Sequence, residues 1–286
     1  MTDIKLFVCC HQPVDVPKHP LLFPIQVGAA LSTVRFPDFL QDDIGYNISK
    51  KNRSYCELTA QYWAWKNIDA DYYGFFHYRR YLYPDLNAKR PYRIEHKPSI
   101  SLLDKLGYSE FEKLILQYDM ILPKGEDMYL AVDEHYSTAP FHHQEDLELT
   151  KQIIRRIYPE LVPAMDEYLS GTICYFGNIF IMRKQIFQDY CSWLFTILEE
   201  FDALSNTVRY TRQEQRVDGY LGERLLGIYY TGHKNEWRSL ELPRVHIEPA
   251  GTGTTLEKQI LYYLFPPESK HRAALKRIAG KMRKGL

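Results

Sequence analysis

No apolar run approaches the roughly eighteen residues that a membrane-spanning helix needs. The opening Met-Thr-Asp-Ile-Lys also lacks the apolar core of a secretory signal. Cysteine is scarce and odd in number: Cys9, Cys10, Cys56, Cys174 and Cys191 show no metal-ligand spacing. Their apolar surroundings predict buried free thiols in a reducing cytoplasm rather than disulfides. Net charge is missing too, since 36 Lys and Arg balance 36 Asp and Glu. What the chain does have is 45% apolar and 25% charged residues, the make-up of a globular protein. Its 286 residues suffice for one large domain, or one domain plus an appendage. Its 23 Tyr supply flat faces with polar tips, suited to stacking on bases or sugars and equally to filling a core.

The charge balance hides an asymmetry. Residues 269–286 carry seven Lys and Arg and no acid. Setting those seven aside leaves 29 bases to 36 acids, a body of about −7. Leu275, Ile278 and Met282 fall on one helical face of this tail. A basic amphipathic end predicts a membrane-surface helix drawn to anionic lipid, with a disordered solubilising tail as the plainer alternative and nucleic acid as a third, which the acidic body argues against.

The chain is organised around Asp71–Leu82. Tyr72–Phe76 is a short aromatic run without helical spacing and reads as a buried strand of a mixed α/β sheet. At its end His77, Tyr78, Arg79 and Arg80 arrive together. Ligands of open α/β sheets sit outside the carboxyl ends of strands, and Arg matches phosphate oxygens in pairs, so an anion site is expected there. Solvated loop charges are the plainer reading.

Ile4–Cys10 is another buried strand, ending at His11-Gln12-Pro13. A turn-rich segment follows at 42–49, then Ser54-Tyr55-Cys56-Glu57, a capping-box pattern predicting a helix over 55–67. Asn52 and Arg53 would then stand just ahead of a helix N-terminus, where phosphate or ribose is readily held. Asp69-Ala70-Asp71 has the Asp-X-Asp form of a metal-holding motif, but it precedes the strand, at the wrong end of the sheet, and reads as a turn. The segment 84–98 reads as a long loop able to cover a site. Ser109-Glu110-Phe111-Glu112 is a second capping box, opening a helix to Gln117, and 119–123 is a strand. His142 and His143 are adjacent and cannot both face one metal from a regular helix, so zinc is not expected. Asp146 at the following helix start is a cap or a catalyst.

Thr172–Met182 reads as a strand in which Gly177 allows close approach by a ligand. A long amphipathic helix follows through Phe201, then a polar linker and a helix carrying Asp218, Glu223 and Arg224. A carboxylate inside an apolar helix is a salt-bridge partner or a base of raised pKa. Trp237–Ile247 reads as a closing strand.

Six motifs stand in order: His11-Gln12-Pro13, Asp43–Ser49, Glu57–Lys66, His77–Tyr81, Gly177–Met182 and Gly219–Leu225. Together they resemble a bacterial family, long labelled a domain of unknown function, associated with capsular and exopolysaccharide glycosyltransferases and including galactofuranosyltransferases. The resemblance spans roughly residues 4–248. It departs from the family at Gln12, where Lys is usual, and at Ile179, where Met is usual.

The resemblance implies a GT-A-like fold: residues 1–248 as one Rossmann-like α/β domain with a mixed, mostly parallel sheet, and 249–286 as a basic helical tail. It implies a UDP-sugar donor and a glycan acceptor, lipid-linked at the inner face of the cytoplasmic membrane, with no nucleic acid partner. His11, Asn47, Ser49 and Asn52 would surround the nucleoside, and His77, Tyr78, Arg79 and Arg80 the diphosphate. Glu223 would be the catalytic base, with Asp218 or Asp146 as substitutes. Gly177, Asn178, Arg224 and His143 would line the sugar or acceptor pocket. No cofactor or metal site is expected, with manganese or magnesium left open. The rival reading is a carbohydrate- or nucleotide-binding protein without turnover.

Overall fold

The first apolar run shows no polar alternation because it lies mid-sheet, buried on both faces. In the computed structural model, which describes residues 2–95, 100–105 and 107–248 with positions 271, 274 and 278, it forms β1 (Ile4–Cys10). Phe7 and Cys9 enter one core, whereas Ile4, Leu6, Val8 and Cys10 enter the other. β2 (Leu22–Gln26) and β3 (Leu40–Gln41) follow. Helices α1 (Asn52–Tyr55) and α2 (Leu58–Asn67) lead to β4 (Tyr72–His77) and β5 (Arg80–Leu82). Next come β6 (Tyr92–Glu95), α3 (Ile100–Lys105), α4 (Phe111–Ile115), β7 (Met120–Pro123) and β8 (Glu126–Asp127). The chain continues through α5 (Val132–Thr138), α6 (Gln144–Ile157), α7 (Val162–Ser170), β9 (Ile173–Cys174) and β10 (Phe180–Arg183). It closes with α8 (Lys184–Leu204), α9 (Val217–His233), β11 (Ser239–Leu242) and β12 (Arg244–Ile247).

The main sheet runs β3-β2-β1-β4-β10-β7-β11, with β5, β12 and β6 attached at the β4 edge. All strands of the main path are parallel except β10, which runs against β4 and β7. The mixed, mostly parallel α/β sheet expected from the sequence is therefore present. Helices α2, α8 and α9 cover one face, and their apolar sides form one core with Phe75, Met120 and Phe180. Leu102, Leu103, Phe111 and Ile115 from α3 and α4 cover the other.

Local signals lost to tertiary partners in several places. The helix expected over 55–67 is broken at Cys56, where φ is 51°, and neither capping box makes a side-chain cap. Ser54 instead bonds the carboxylate of Asp218, and Glu57 takes a bond from Asn178. The strand expected over 172–182 divides, because Gly177 and Asn178 both adopt positive φ, 93° and 51°. Pro243 splits the closing strand into β11 and β12, which pair with different neighbours. Within the expected 84–98 loop, β6 pairs with β12. The tail expected at 249–286 lies outside the described residues, save positions 271, 274 and 278. Among the described residues no helix is long and apolar enough to cross a membrane.

Candidate active site

Parallel pairing of β1 with β4 sets Cys9 opposite His77, so both strands deliver polar groups to one edge of the sheet. The His11 ring stands 6.1 Å from that of His77 and edge-on to Tyr78 at 5.2 Å. Tyr78 is buried and its hydroxyl accepts Gln12 Nε2–H at 3.1 Å. His77 Nδ1 accepts the Arg79 amide at 3.2 Å, which leaves the proton of the neutral ring on Nε2. Burial, with Arg80 next, pushes His77 down to about 3. His11 is lowered as well, by burial, Arg216 and Arg79. Both histidines are therefore neutral at physiological pH. Burial is the larger cause in both, and the neighbouring arginines add to it.

Arg79 is anchored to β12: its Nε donates to the Ile247 carbonyl at 3.2 Å, and its own carbonyl accepts Ile247 N–H at 2.8 Å. Arg79, Arg80 and Arg216 are exposed, and among the described residues none has a carboxylate at ion-pair distance. Arg80 also perturbs buried Arg244, which burial pushes down to about 9. Arg244 is itself ion-paired with Glu126, so it is Arg79, Arg80 and Arg216 that leave the carboxyl edge short of counter-charge.

The third wall is the turn entering β10. Because β10 runs antiparallel to β4, Gly177 and Asn178 sit at the same edge as His77. A Cβ on Gly177 would lie 3.7 Å from Arg80 Nη1, so turn and guanidinium share one space. Gly177 N–H donates to Glu223 Oε1 at 2.7 Å. Asn178 Nδ2 donates to Glu57 Oε1 at 2.8 Å and to the Gly219 carbonyl at 3.1 Å. Glu57 and Arg216 join the site unannounced by the sequence. Glu57 resembled a helix cap, and Arg216 stood at the head of the segment that carries Asp218, Glu223 and Arg224, with nothing local to single it out. Arg216 Nε donates to Cys56 Sγ at 3.4 Å and its guanidinium faces the Tyr220 ring at 5.5 Å.

Several expected site residues hold the scaffold instead. Ser49 is fully buried, its hydroxyl shared between Asp42 and the Ala30 amide. Asn47 spends its amide on the Asp43 and Gly45 carbonyls, in a loop pinned to α2 by Trp63 and Asn67. Asn52 donates to the Cys56 carbonyl and Thr59 from inside α1 rather than ahead of it. Asp146 is buried against the Tyr210 hydroxyl at 2.8 Å, and His143 stacks on Tyr210 at 4.3 Å with Glu214 3.3 Å from its Nε2. This cluster closes the 205–214 linker onto α6. Arg224 is 2% exposed, bonded to Glu223 Oε2 at 2.9 Å and to His135 Nδ1 at 3.2 Å. It braces Glu223 from inside the core and reaches no acceptor. Asp69, paired with Lys184, and Asp71, accepting the Asp3 amide at 2.8 Å, stand at the amino end of β4.

Asp218 is fully buried and bonded to Ser54, so it reaches no substrate. Burial, then the charge of Asp202, pushes it up to about 7, against the opposing pull of Ser54 and Lys51. Its unfolded value is near 3.9. Between those two values the folded chain binds the extra proton, so stability falls as pH rises from about 4 to about 7. Asp218→Asn is therefore expected to gain on the wild type by on the order of 2 kcal/mol between pH 5 and pH 8. Urea unfolding at the two pH values reads this; an equal difference at both would contradict it.

A GT-A-type sheet brings to mind a divalent cation, but the donors here do not fit one. The residues at and just past the carboxyl end of β4 are His77, Tyr78, Arg79 and Arg80, none of them a carboxylate. Among the described residues no group of three His, Cys, Asp or Glu is spaced to hold an ion. A groove of about 580 Å³ lies elsewhere, beside β2, lined by Val14, Lys18, His19, Pro24 and Phe39 among others. Its charges are mixed, with Asp15 and Asp38 beside Lys18, so it lacks the cationic character of the carboxyl edge.

The architecture has a solved counterpart. The apo structure of the WbbM bifunctional glycosyltransferase superposes with a TM-score of 0.81 at 31% identity, covering 86% of this chain. This chain spans 45% of that one. The fold is GT-A-like, as the order and single reversal of the strands indicate. No curated protein matches the chain. Residues 5–235 match the family described as a domain of unknown function, DUF4422, and the chain is a member of it.

Proposed function

We propose that this chain is an inverting glycosyltransferase that moves a hexose, galactofuranose being one candidate, from a UDP-sugar to a growing capsular, exopolysaccharide or O-antigen glycan. The observation that carries the reading is the convergence of Arg79, Arg80 and Arg216 on His11 and His77 without carboxylate partners. Glycosyl transfer from a nucleotide sugar releases a diphosphate, and catalysis needs positive charge where that leaving group develops. Fixed guanidinium groups supply it without a metal. A carboxylate at the Gly177–Asn178 turn would take the acceptor proton. Likeness to WbbM supports transfer chemistry; the uridine and the hexose come from the family resemblance.

The test is isothermal titration with UDP, GDP, CMP and dTDP, each with and without manganese. Selective UDP binding that ignores manganese is expected. Binding that requires manganese would overturn the metal-free mechanism, and no binding would favour a carbohydrate-binding protein. The acceptor is proposed to be lipid-linked, with the 269–286 tail resting on the anionic inner face of the cytoplasmic membrane. Removing that tail should reduce co-sedimentation with phosphatidylglycerol vesicles; unchanged sedimentation would contradict the anchor.

A further inference from the structure

Two carboxylates meet one turn, and they are held differently. Glu223 has both oxygens engaged, Oε1 by the Gly177 amide at 2.7 Å and Oε2 by the permanent charge of Arg224 at 2.9 Å. Glu57 has no basic side chain at ion-pair distance among the described residues, and Asn178 holds its Oε1 at 2.8 Å. The backbone on each side of that bond is unusual. Cys56, immediately before Glu57, adopts φ 51° and ψ −127°, a combination comfortable only for glycine. Asn178, the donor, adopts φ 51°. Two non-glycine residues at positive φ thus flank one hydrogen bond. Such outliers persist where the surroundings over-determine them, as at functional sites.

The surroundings fit a proton acceptor. Burial raises the Glu57 carboxyl above its ordinary value, and the nearby charge of Glu223 adds to this, while Asn178 and Arg216 oppose it. The other titratable groups facing it are Cys56 on its own segment and Cys9 at the end of β1, whose thiol is raised by burial and then by the charge of Glu57. Glu57 therefore stands at the head of α2, against the Asn178 turn and near Cys9 of β1 and Arg216, with its proton affinity raised. That is what a general base at this edge requires.

We infer that Glu57 is the general base for the acceptor hydroxyl, and that Glu223 positions the turn carrying Asn178 against it. The inference rests on the transferase reading above. In the step, the acceptor O–H proton passes to Glu57 as the oxygen attacks the anomeric carbon. The bond from that carbon to the β-phosphate oxygen breaks, its electron pair leaving with the nucleoside diphosphate toward Arg79 and Arg80. The new glycosidic bond has inverted configuration, and Glu57 afterwards returns its proton to solvent.

The experiment compares the wild type with Glu57→Gln, Glu57→Asp and Glu223→Gln. UDP binding is titrated, and UDP release is followed from UDP-galactopyranose and UDP-galactofuranose with octyl β-galactoside as acceptor. Glu57→Gln is expected to hold UDP affinity within about threefold and lose about 10²- to 10⁴-fold in kcat. The wild-type rate should rise with pH through the Glu57 titration. Glu223→Gln should keep that acidic limb, and Glu57→Asp should shift it. Wild-type kcat in Glu57→Gln, or the same acidic limb in that variant, overturns the assignment and leaves the transferase intact. If Glu57→Gln no longer binds UDP, Glu57→Asp decides, an unshifted limb being the contrary result. Absence of UDP release by the wild type with either donor would instead sink the transferase reading.

Discussion

Arg80→Ala is expected to lower turnover on the order of a hundredfold, the usual cost of removing one preorganised donor from a developing anion. The guanidinium is exposed, lies beside the Gly177 backbone and has no carboxylate at ion-pair distance among the described residues. Removing it therefore breaks no ion pair, and thermal stability should change by no more than about 0.5 kcal/mol. The two readouts together separate a catalytic cation from a structural one. Arg80→Lys should recover only part of the loss, because an ammonium keeps the charge but not the paired donors that match a phosphate. Steady-state UDP release and thermal unfolding of each variant give the answer. Full activity in both Arg79→Ala and Arg80→Ala would remove the electrostatic basis of the mechanism.

Arg224→Ala should do the reverse, losing stability first. Arg224 lies between the Tyr136 and Phe176 rings, 5.4 Å and 5.7 Å from its guanidinium carbon, and bonds Glu223 and His135. Truncation leaves the partly buried Glu223 without its counter-charge and opens a cavity between two aromatic rings. Breaking a buried pair from one side costs about 3–5 kcal/mol. Arg224→Met combined with Glu223→Gln should recover much of this, since both charges then go together. Urea unfolding measures it, and a loss below about 1 kcal/mol for Arg224→Ala would show that the pair is not the brace described here.

What the sequence made legible follows a physical divide. β1 and β4 were readable because strands buried on both faces are continuous apolar runs, and α8 because its apolar stripe has helical period. The cationic end of β4 was readable as a position, because the strand stops where His77, Arg79 and Arg80 arrive, although solvated loop charges were the plainer reading of those residues. The other half of the site depended on contacts across long separations. Glu57 matched a capping box, yet Asn178, 121 residues away, claims its carboxylate. Asp218 and Arg224 looked equally available in the helix, and only packing shows that both are sealed inside. Ser49, Asn47 and Asn52 are polar residues in a turn-rich segment, where bonds to the local backbone compete with any ligand. One signal was there to be used: Gly177-Asn178 is a turn-forming pair, and it marks where the expected strand breaks.

The most direct test of the central claim is a crystal structure with UDP bound. The diphosphate is expected at the carboxyl edge of β1 and β4, within hydrogen-bond distance of Arg79 or Arg80 and beside Gly177. A diphosphate seated in the groove beside β2, remote from those guanidinium groups, would contradict the account.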